Sequence, residues 1–384
     1  MQASAAFVRR LVLTQFRNHP RLEIESRGGP VCLVGPNGAG KTNVLEALSI
    51  LGPGRGIRGA ELAQMARAGA DGGAFAVSAL MDVAGEELRL GAGLDLSGAA
   101  PRRVVRLDGR DAGPGELARA LRLIWLTPAL DRLFAGPAGE RRRFLDRLVV
   151  AADPDSAGLS GTYERALKER ARLLEAPRPD ARWLDVVERQ LAEAGTGIAA
   201  ARITTVDRLQ AEIDARPEGV FPKSQLALQG QLEARLREGI PAGEVEEDFC
   251  RLLRQTRARD AAAGRTLDGP HRSDLEAVHT GAGMPAGLCS TGEQKALVTG
   301  LVLAHARRMA AAAQLGTQAP NPLLLLDEAA AHFDARRRDG LAAELLQLPG
   351  QAWLTGTDLS LFEGFGDGAD CYEVAPGSVR LLRV

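Results

Sequence analysis

The residues whose types and spacing best suit chemistry lie near the start of the chain. Gly35, Pro36, Asn37, Gly38, Ala39, Gly40, Lys41 and Thr42 match G-x-x-x-x-G-K-[ST], after the apolar run Val31 to Val34 and before helical spacing from Lys41 to Leu51. Glycines in this pattern let backbone N–H groups turn inward around phosphates, and the helix N-terminus adds positive potential. Lys41 is placed to reach the β- and γ-phosphates of ATP, and Thr42 to give a hydroxyl to Mg²⁺. Far downstream, Leu323 to Leu326 is an apolar strand that ends in Asp327 and Glu328. Asp327 can hold the Mg²⁺, and Glu328 can orient and deprotonate an attacking water. Alone, that pair would be a strand with a solvated acidic end; with the phosphate loop upstream it supplies the second half of a nucleotide site. Lys41 and Glu328 are then the candidate catalytic residues.

A third segment, Cys289 to Lys295, precedes an apolar helix and carries Ser290, Gly292 and Gln294 in the order S-x-G-x-Q. As a bare string it is a helix N-cap with Glu293 closing a capping box. Its position ahead of the Asp-Glu strand raises it above that, because it resembles the signature of ABC-type ATPases. The Ser290 hydroxyl, the Gly292 N–H and the helix dipole can hold a γ-phosphate. ABC geometry implies that this phosphate belongs to another subunit's ATP.

Elements of defined kinds must hold these groups. Phe7 to Leu13, Arg21 to Ile24 and Val31 to Val34 have the patterning of strands, and three more strand-like runs lie between Phe75 and Leu107, closed by the hairpin dipeptide Asp108-Gly109. From Ala151 onward Ala, Leu, Arg and Glu recur at helical spacing. A glycine-rich turn is expected at Gly281 to Gly287, a helix from Ser290, a helix from Ala335 to Leu348 and a strand from Ala352 to Thr355. Strands alternating with helices predict a largely parallel sheet. The fold class is therefore α/β: an ABC-type P-loop ATPase head with an inserted helical second lobe, like an SMC head without a long coiled coil. The expected division is 1–150 for the first part of the head, 151–260 for the helical lobe and 261–384 for the rest of the head.

Composition narrows the setting. With 48 Lys+Arg against 49 Asp+Glu the net charge is -1, so any nucleic-acid surface must be a local patch. Cys32, Cys250, Cys289 and Cys371 are far apart with no C-x-x-C pair, which argues against a disulfide framework and a zinc site and fits a reducing cytoplasm. Arg9 and Arg10 interrupt the N-terminus before an apolar leader forms, and no run is long enough for a membrane span. Aromatic residues are only 4% of the chain, a poor basis for a single-strand stacking platform.

The order Phe16-Arg17-Asn18, GPNGAGKT, Gly54-Arg55-Gly56-Ile57-Arg58, Glu140-Arg141-Arg142-Arg143-Phe144-Leu145-Asp146, Gly269-Pro270-His271-Arg272-Ser273-Asp274-Leu275, STGEQK and LLLLDE is similar to the RecF family over nearly the whole chain. The ERRRFLD and GPHRSDL segments are not general ABC features. The resemblance implies an ATP-dependent homodimer that binds double-stranded DNA or single-strand/double-strand junctions, acts in gap repair, replication restart and the SOS response, and works with RecR and RecO to load RecA. Weak DNA-dependent ATPase activity, with ATP used as a conformational switch, goes with it. Arg55 and Arg58 stand where SMC-type heads carry an arginine that couples DNA to ATP, against the alternative of solvated loop arginines. For Arg141, Arg142 and Arg143, pairing with Glu140 and Asp146 weighs at least as much as DNA contact. His271 is expected to be a hydrogen-bonded structural residue. Two departures stand out. Ala129 replaces the family's usual Glu after Pro128, so the loop that senses Mg²⁺ and γ-phosphate either borrows Asp131 or is weakened. Thr355-Gly356-Thr357 lacks the switch histidine of transport ATPases, which implies slow turnover and weakens the alternative of a transporter-type subunit; another SMC-like ATPase is the remaining alternative.

Overall fold

The structure, a computed structural model, describes residues 6–69, 73–96, 101–314 and 320–383. It forms two compact units: residues 1–131, 216–222 and 290–384 make the first, and residues 132–215 and 223–289 the second.

The first unit holds two six-stranded sheets. One runs in the order Ser378–Arg383, Asp370–Ala375, Val31–Val34, Gln351–Gly356, Leu323–Leu326, Leu123–Leu126. All of its pairings are parallel except that of the two C-terminal strands. Its central strands are buried on both faces, which is why VCLV and LLLL are continuous apolar runs and not alternations. The other sheet is antiparallel throughout, from His19–Glu25 and Ala6–Phe16 through Ala76–Val83, Glu86–Asp95 and Arg102–Leu107 to Arg110–Asp111. Alternation is clear along Ala6–Phe16, whose Val8, Leu11, Leu13 and Phe16 are buried. Asp108 and Gly109 both have positive φ, as the tight hairpin turn requires. Helix Lys41–Ser49 lies in the same apolar core as both sheets, with Val44, Leu45 and Leu48 fully buried.

The segment Arg216–Pro222 also belongs to this first unit. Phe221 is fully buried, its ring 5.8 Å from that of Phe333. The Arg216 guanidinium donates to the Phe221 carbonyl at 2.6 Å.

In the second unit the longest element is helix Ala181–Ala215, 35 residues. At 1.5 Å per residue it spans about 52 Å. Helices Ala138–Ala152, Ala157–Leu174 and Ala242–Gln255 belong to the same unit. It also contains an antiparallel sheet, Met284–Pro285, Asp274–His279, Ser224–Gln229, that the helical reading of residues 151–260 omits. Ser224–Gln229 is a strand because the distant Asp274–His279 completes its hydrogen bonds. The anticipated boundaries at 150/151 and 260/261 both fall inside this unit.

The two family-specific segments clasp each other here. Arg141 makes a bidentate pair with Asp274, both contacts at 2.7 Å, and Arg142 donates to the Ser273 carbonyl at 2.7 Å. Asp146 is held instead by Arg202, which also donates to the Pro270 carbonyl. The expected pairing of the arginine run with Glu140 and Asp146 is thus corrected: planar guanidinium forks are matched by carboxylates and carbonyls brought from far along the chain. Phe144, Leu145 and Leu148 do face inward. His271 is structural as expected, bonded through Nδ1 to the Tyr163 hydroxyl at 2.8 Å and through Nε2 to the Thr266 carbonyl at 3.0 Å. Arg170, with no exposed surface, is matched by Glu188, Asp260, Thr266 and the Leu253 carbonyl.

All four cysteines are free, and no group of three or more His, Cys, Asp or Glu suited to a metal occurs among the described residues. Among those residues, no helix is long and apolar enough to cross a membrane.

Candidate functional site

The phosphate loop leaves the central parallel strand at Gly35 and enters helix Lys41–Ser49 with Gly40 at its N-cap. Gly35, Gly38 and Gly40 all have positive φ. Two of these glycines are also crowded: a Cβ at Gly35 would collide with the Val374 carbonyl, and one at Gly40 with His19 and Asn18. Lys41 is 5% exposed and its ammonium lies across the mouth of the loop, donating to the carbonyls of Gly35 at 2.6 Å and Pro36 at 2.9 Å. Burial pulls its pKa below the ordinary lysine value, opposed by the charges of Glu328 and Asp327. Thr42 Oγ1 donates to Asp327 Oδ1 at 2.8 Å. The ends of two parallel strands thereby bring together Lys41, Thr42, Asp327 and Glu328, and PNGA with its flanking glycines forms the turn above them.

Three residues absent from the candidate set brace this loop. Asn18 donates to the Ala39 carbonyl at 3.0 Å and accepts from Asn43 at 2.7 Å. His19, fully buried, contacts the Gly40 carbonyl through Nε2 at 3.2 Å, and burial lowers its pKa. Arg17 grips the fully buried Glu46 carboxylate in a bidentate pair at 2.6 and 2.8 Å. Phe16-Arg17-Asn18 marked the family in the sequence, but only the fold reveals the contacts.

Thr355 was equally unmarked. Its hydroxyl donates to Asp327 Oδ1 at 2.8 Å and accepts the Glu328 N–H at 2.9 Å. Glu328 itself has φ 51, a left-handed conformation uncommon for a non-glycine residue.

The donor set fits the groups expected here. Magnesium takes oxygen ligands, commonly one or two carboxylates beside substrate phosphates and water. Thr42 Oγ1 and Asp327 Oδ1 are two such oxygens in direct contact. Nitrogen and sulfur ligands are not among these groups.

Arg58 does not stand free: it donates to Asn43 at 2.7 Å and to Glu46 at 3.0 Å, sharing that carboxylate with Arg17. Arg55 is exposed and lines a cleft of about 390 Å³ with Glu61, Met65 and Arg103. Arg103 reaches from the antiparallel sheet to the carbonyls of Ile50, Gly52 and Gly54, and so fixes the loop that carries both arginines.

Helix Thr291–Gln314 opens with the signature segment. Ser290 and Gly292 are exposed, whereas Gln294 is buried at 3%. Both the N–H and the hydroxyl of Ser290 donate to the Glu293 carboxylate, at 3.0 and 2.9 Å, so the capping box exists in the single chain. Arg337 donates to the Gly292 carbonyl at 3.4 Å. Ala129 lies in a short turn after strand Leu123–Leu126, and Asp131 just beyond it pairs with Lys295 at 3.5 Å. Burial raises the Asp131 pKa and Lys295 opposes the shift.

Residues 7–354 match the family described as the RecF/RecN/SMC N terminal domain. The DNA replication and repair protein RecF of Caulobacter sp. (strain K31) is 49% identical over 374 residues, 94% of each chain. That of Mesorhizobium japonicum is 48% identical over 374 residues, 97% of each. Among solved structures, the recombination mediator protein RecF-ATP in the RecFOR pathway covers 99% of both chains with a TM-score of 0.83 at 21% identity. An Smc head domain with an extended coiled coil from Pyrococcus furiosus covers 99% of this chain and 96% of that one with a TM-score of 0.54 at 15% identity. These two likenesses show the fold of an ABC-type ATPase head. Near-complete coverage at nearly half identity, together with the motif order already described, shows that the chain belongs to the RecF family of DNA replication and repair proteins.

Proposed function

We propose that this chain is an ATP-dependent DNA clamp of recombinational gap repair and replication restart, in which two copies close around ATP and slow, DNA-stimulated hydrolysis resets the state. The observation that carries it is the direct contact of Thr42 with Asp327 beside Lys41 and Glu328, while Ser290 and Gly292 are left open to solvent.

In this reading the loop 35–42 and Lys41 bind the nucleotide within one chain. Lys41 exchanges its bonds to the Gly35 and Pro36 carbonyls for phosphate oxygens. Thr42 and Asp327 would hold Mg²⁺, which supplies charge neutralisation at the phosphates. Glu328 orients the attacking water and takes its proton. Ser290 and the N–H groups around Gly292 and Gln294 meet the second copy's γ-phosphate, which requires the Ser290 hydroxyl to turn from Glu293. Arg55 and Arg58 contact DNA phosphates, and Arg58 must first part from Glu46. The RecF names of the curated relatives and the RecFOR pathway named for the solved structure support RecR and RecO as the setting, and loading of RecA goes with the family resemblance. The DNA replication and repair for which the curated relatives are named supports action in the cytoplasm, where the DNA lies.

The test is the mass of the protein by sedimentation with ATP and Mg²⁺, with ADP and without nucleotide, for wild type and Ser290→Arg. The wild type should dimerise with ATP alone. Ser290→Arg should bind ATP as a monomer with affinity near wild type, fail to dimerise and lose ATP-dependent DNA retention. Normal dimerisation and hydrolysis by Ser290→Arg would overturn the shared-site reading.

A further inference from the structure

Lys295 closes the family's signature string, yet its side chain turns away from the exposed end of the helix. It is 5% exposed. Its ammonium donates to the carbonyls of Glu328 and Ala331, both at 2.9 Å, pairs with Asp131 at 3.5 Å and lies 5.3 Å from the centre of the Phe333 ring. An ammonium has three donors, and here every neighbour is an oxygen or a π-face of the loop after the Asp-Glu strand or of the turn holding Asp131.

The carbonyl it grips belongs to the strained residue. Glu328 has φ 51, a conformation that persists in a non-glycine residue only where its surroundings hold it. Its N–H is fixed by Thr355 Oγ1 at 2.9 Å, and its carbonyl by Lys295 and by the Ala331 N–H at 3.0 Å. With the peptide groups on both sides of its Cα pinned, the direction in which its carboxylate leaves the backbone is set.

We propose that Lys295 is a positioning residue for hydrolysis: it holds Glu328 in its left-handed conformation and ties it to the first turn of the signature helix. The proposal rests on the reading of Glu328 as the general base. It adds a route between the two sites of a dimer. If the segment around Ser290 docks on a second copy's nucleotide, any shift of that helix turn is passed by Lys295 to the Glu328 of the same chain. Occupancy of one site is thereby felt at the base of the other.

The experiment compares full-length wild type, Lys295→Met, Lys295→Arg, Glu328→Gln and the double variant Lys295→Met/Glu328→Gln, measuring ATP affinity and single-turnover hydrolysis. Lys295→Met keeps the stem but removes the donors, and should slow hydrolysis by about tenfold or more while ATP affinity stays within about threefold. Lys295→Arg, which keeps a cation, should recover part of the rate. In the Glu328→Gln background the Met substitution should add no further loss, because the group it positions is already disabled. Wild-type hydrolysis by Lys295→Met, or an equal fractional loss in both backgrounds, would overturn the proposal. Absence of hydrolysis in the wild type would instead overturn the reading of the site as an ATPase. Should circular dichroism show Lys295→Met to be unfolded, Lys295→Gln, which retains an amide donor, replaces it in the same comparison.

Discussion

Replacing Thr355 by Val tests whether the hydroxyl bridge between the two acidic residues matters to catalysis. The side chains are close in shape, so the change removes two hydrogen bonds and little volume. Thr355 is 1% exposed on strand Gln351–Gly356, every residue of which is buried, so water cannot take the hydroxyl's place. One lost bond is charge-assisted, from Oγ1 to Asp327 Oδ1 at 2.8 Å, and such bonds contribute about 1.5–3 kcal/mol. The other loss leaves the Glu328 N–H, now bonded at 2.9 Å, without its acceptor, at about 1–3 kcal/mol. The sum is about 2.5–6 kcal/mol, and relaxation of the site brings the upper figure down to about 5 kcal/mol. If half to most of it is expressed at the transition state, the rate of hydrolysis falls by about 10 to 10³. ATP affinity should change far less, since in the proposed reading loop 35–42 and Lys41 make the contacts to phosphate. Single-turnover hydrolysis beside equilibrium ATP binding separates the two, and Thr355→Ser, which restores the hydroxyl, should recover most of the rate. A Thr355→Val protein that hydrolyses ATP within about twofold of wild type would refute the reasoning, because the lost bonds could not then be supporting the reacting geometry.

Glu328→Gln keeps a group able to hydrogen-bond water but unable to take its proton, so the ATP-bound dimer should accumulate and DNA should be retained longer. A monomer by sedimentation with ATP and Mg²⁺ would count against it. The buried imidazole of His19 beside the Gly40 carbonyl gives a pH dependence. Its pKa is below the ordinary value because of burial, so between the folded and unfolded values the unfolded chain binds more protons and stability falls as pH falls. Loss of stability and of ATP affinity should therefore set in as pH drops through about 6.5, and His19→Gln should flatten the profile; an unchanged profile would assign the effect to other groups, such as His271, whose pKa burial also lowers.

The strands and helices that carry the site were legible because each motif sat in its own local pattern. Val31–Val34 and Leu323–Leu326 occupy the positions that the apolar runs mark, and helix Lys41–Ser49 begins at the lysine. Thr355, Lys295 and His19 were not legible as site residues. A threonine on a buried strand, a lysine inside a helix and a histidine at a turn are ordinary by type, and their roles depend on what the fold lays against them. Strand Ser224–Gln229 was missed for a related reason: its partner is Asp274–His279, and no local signal in a region of helical spacing reports so distant a pairing. The arginine run of ERRRFLD shows the reverse error. Neighbours along the helix were obvious partners, while Arg141 and Arg142 find Asp274 and the Ser273 carbonyl in the other family segment, and Arg141 also reaches the Phe134 and Gly136 carbonyls before its own helix.

That the two halves of the nucleotide site lie so far apart in sequence has a physical reading. Val31–Val34, which launches the phosphate loop, is flanked by Gln351–Gly356 on one side and Asp370–Ala375 on the other. The buried Gln351 joins the ends of the chain: its Oε1 accepts the Val8 N–H and the Trp353 indole N–H, both at 2.9 Å, and its Nε2 donates to Ser26 Oγ at 2.7 Å. Each of these groups is inaccessible to water in the folded unit, so separating the ends would leave several buried donors and acceptors without partners. Closure entropy of a flexible loop grows only with the logarithm of its length, about 0.6 kcal/mol per doubling. Once the terminal strands hold each other by such contacts, a second compact unit can be carried in the intervening chain at small thermodynamic cost. The site's dependence on both ends of the chain is thus compatible with a large lobe between them, and the precision of the Thr42 to Asp327 contact comes from the central sheet and not from proximity in sequence.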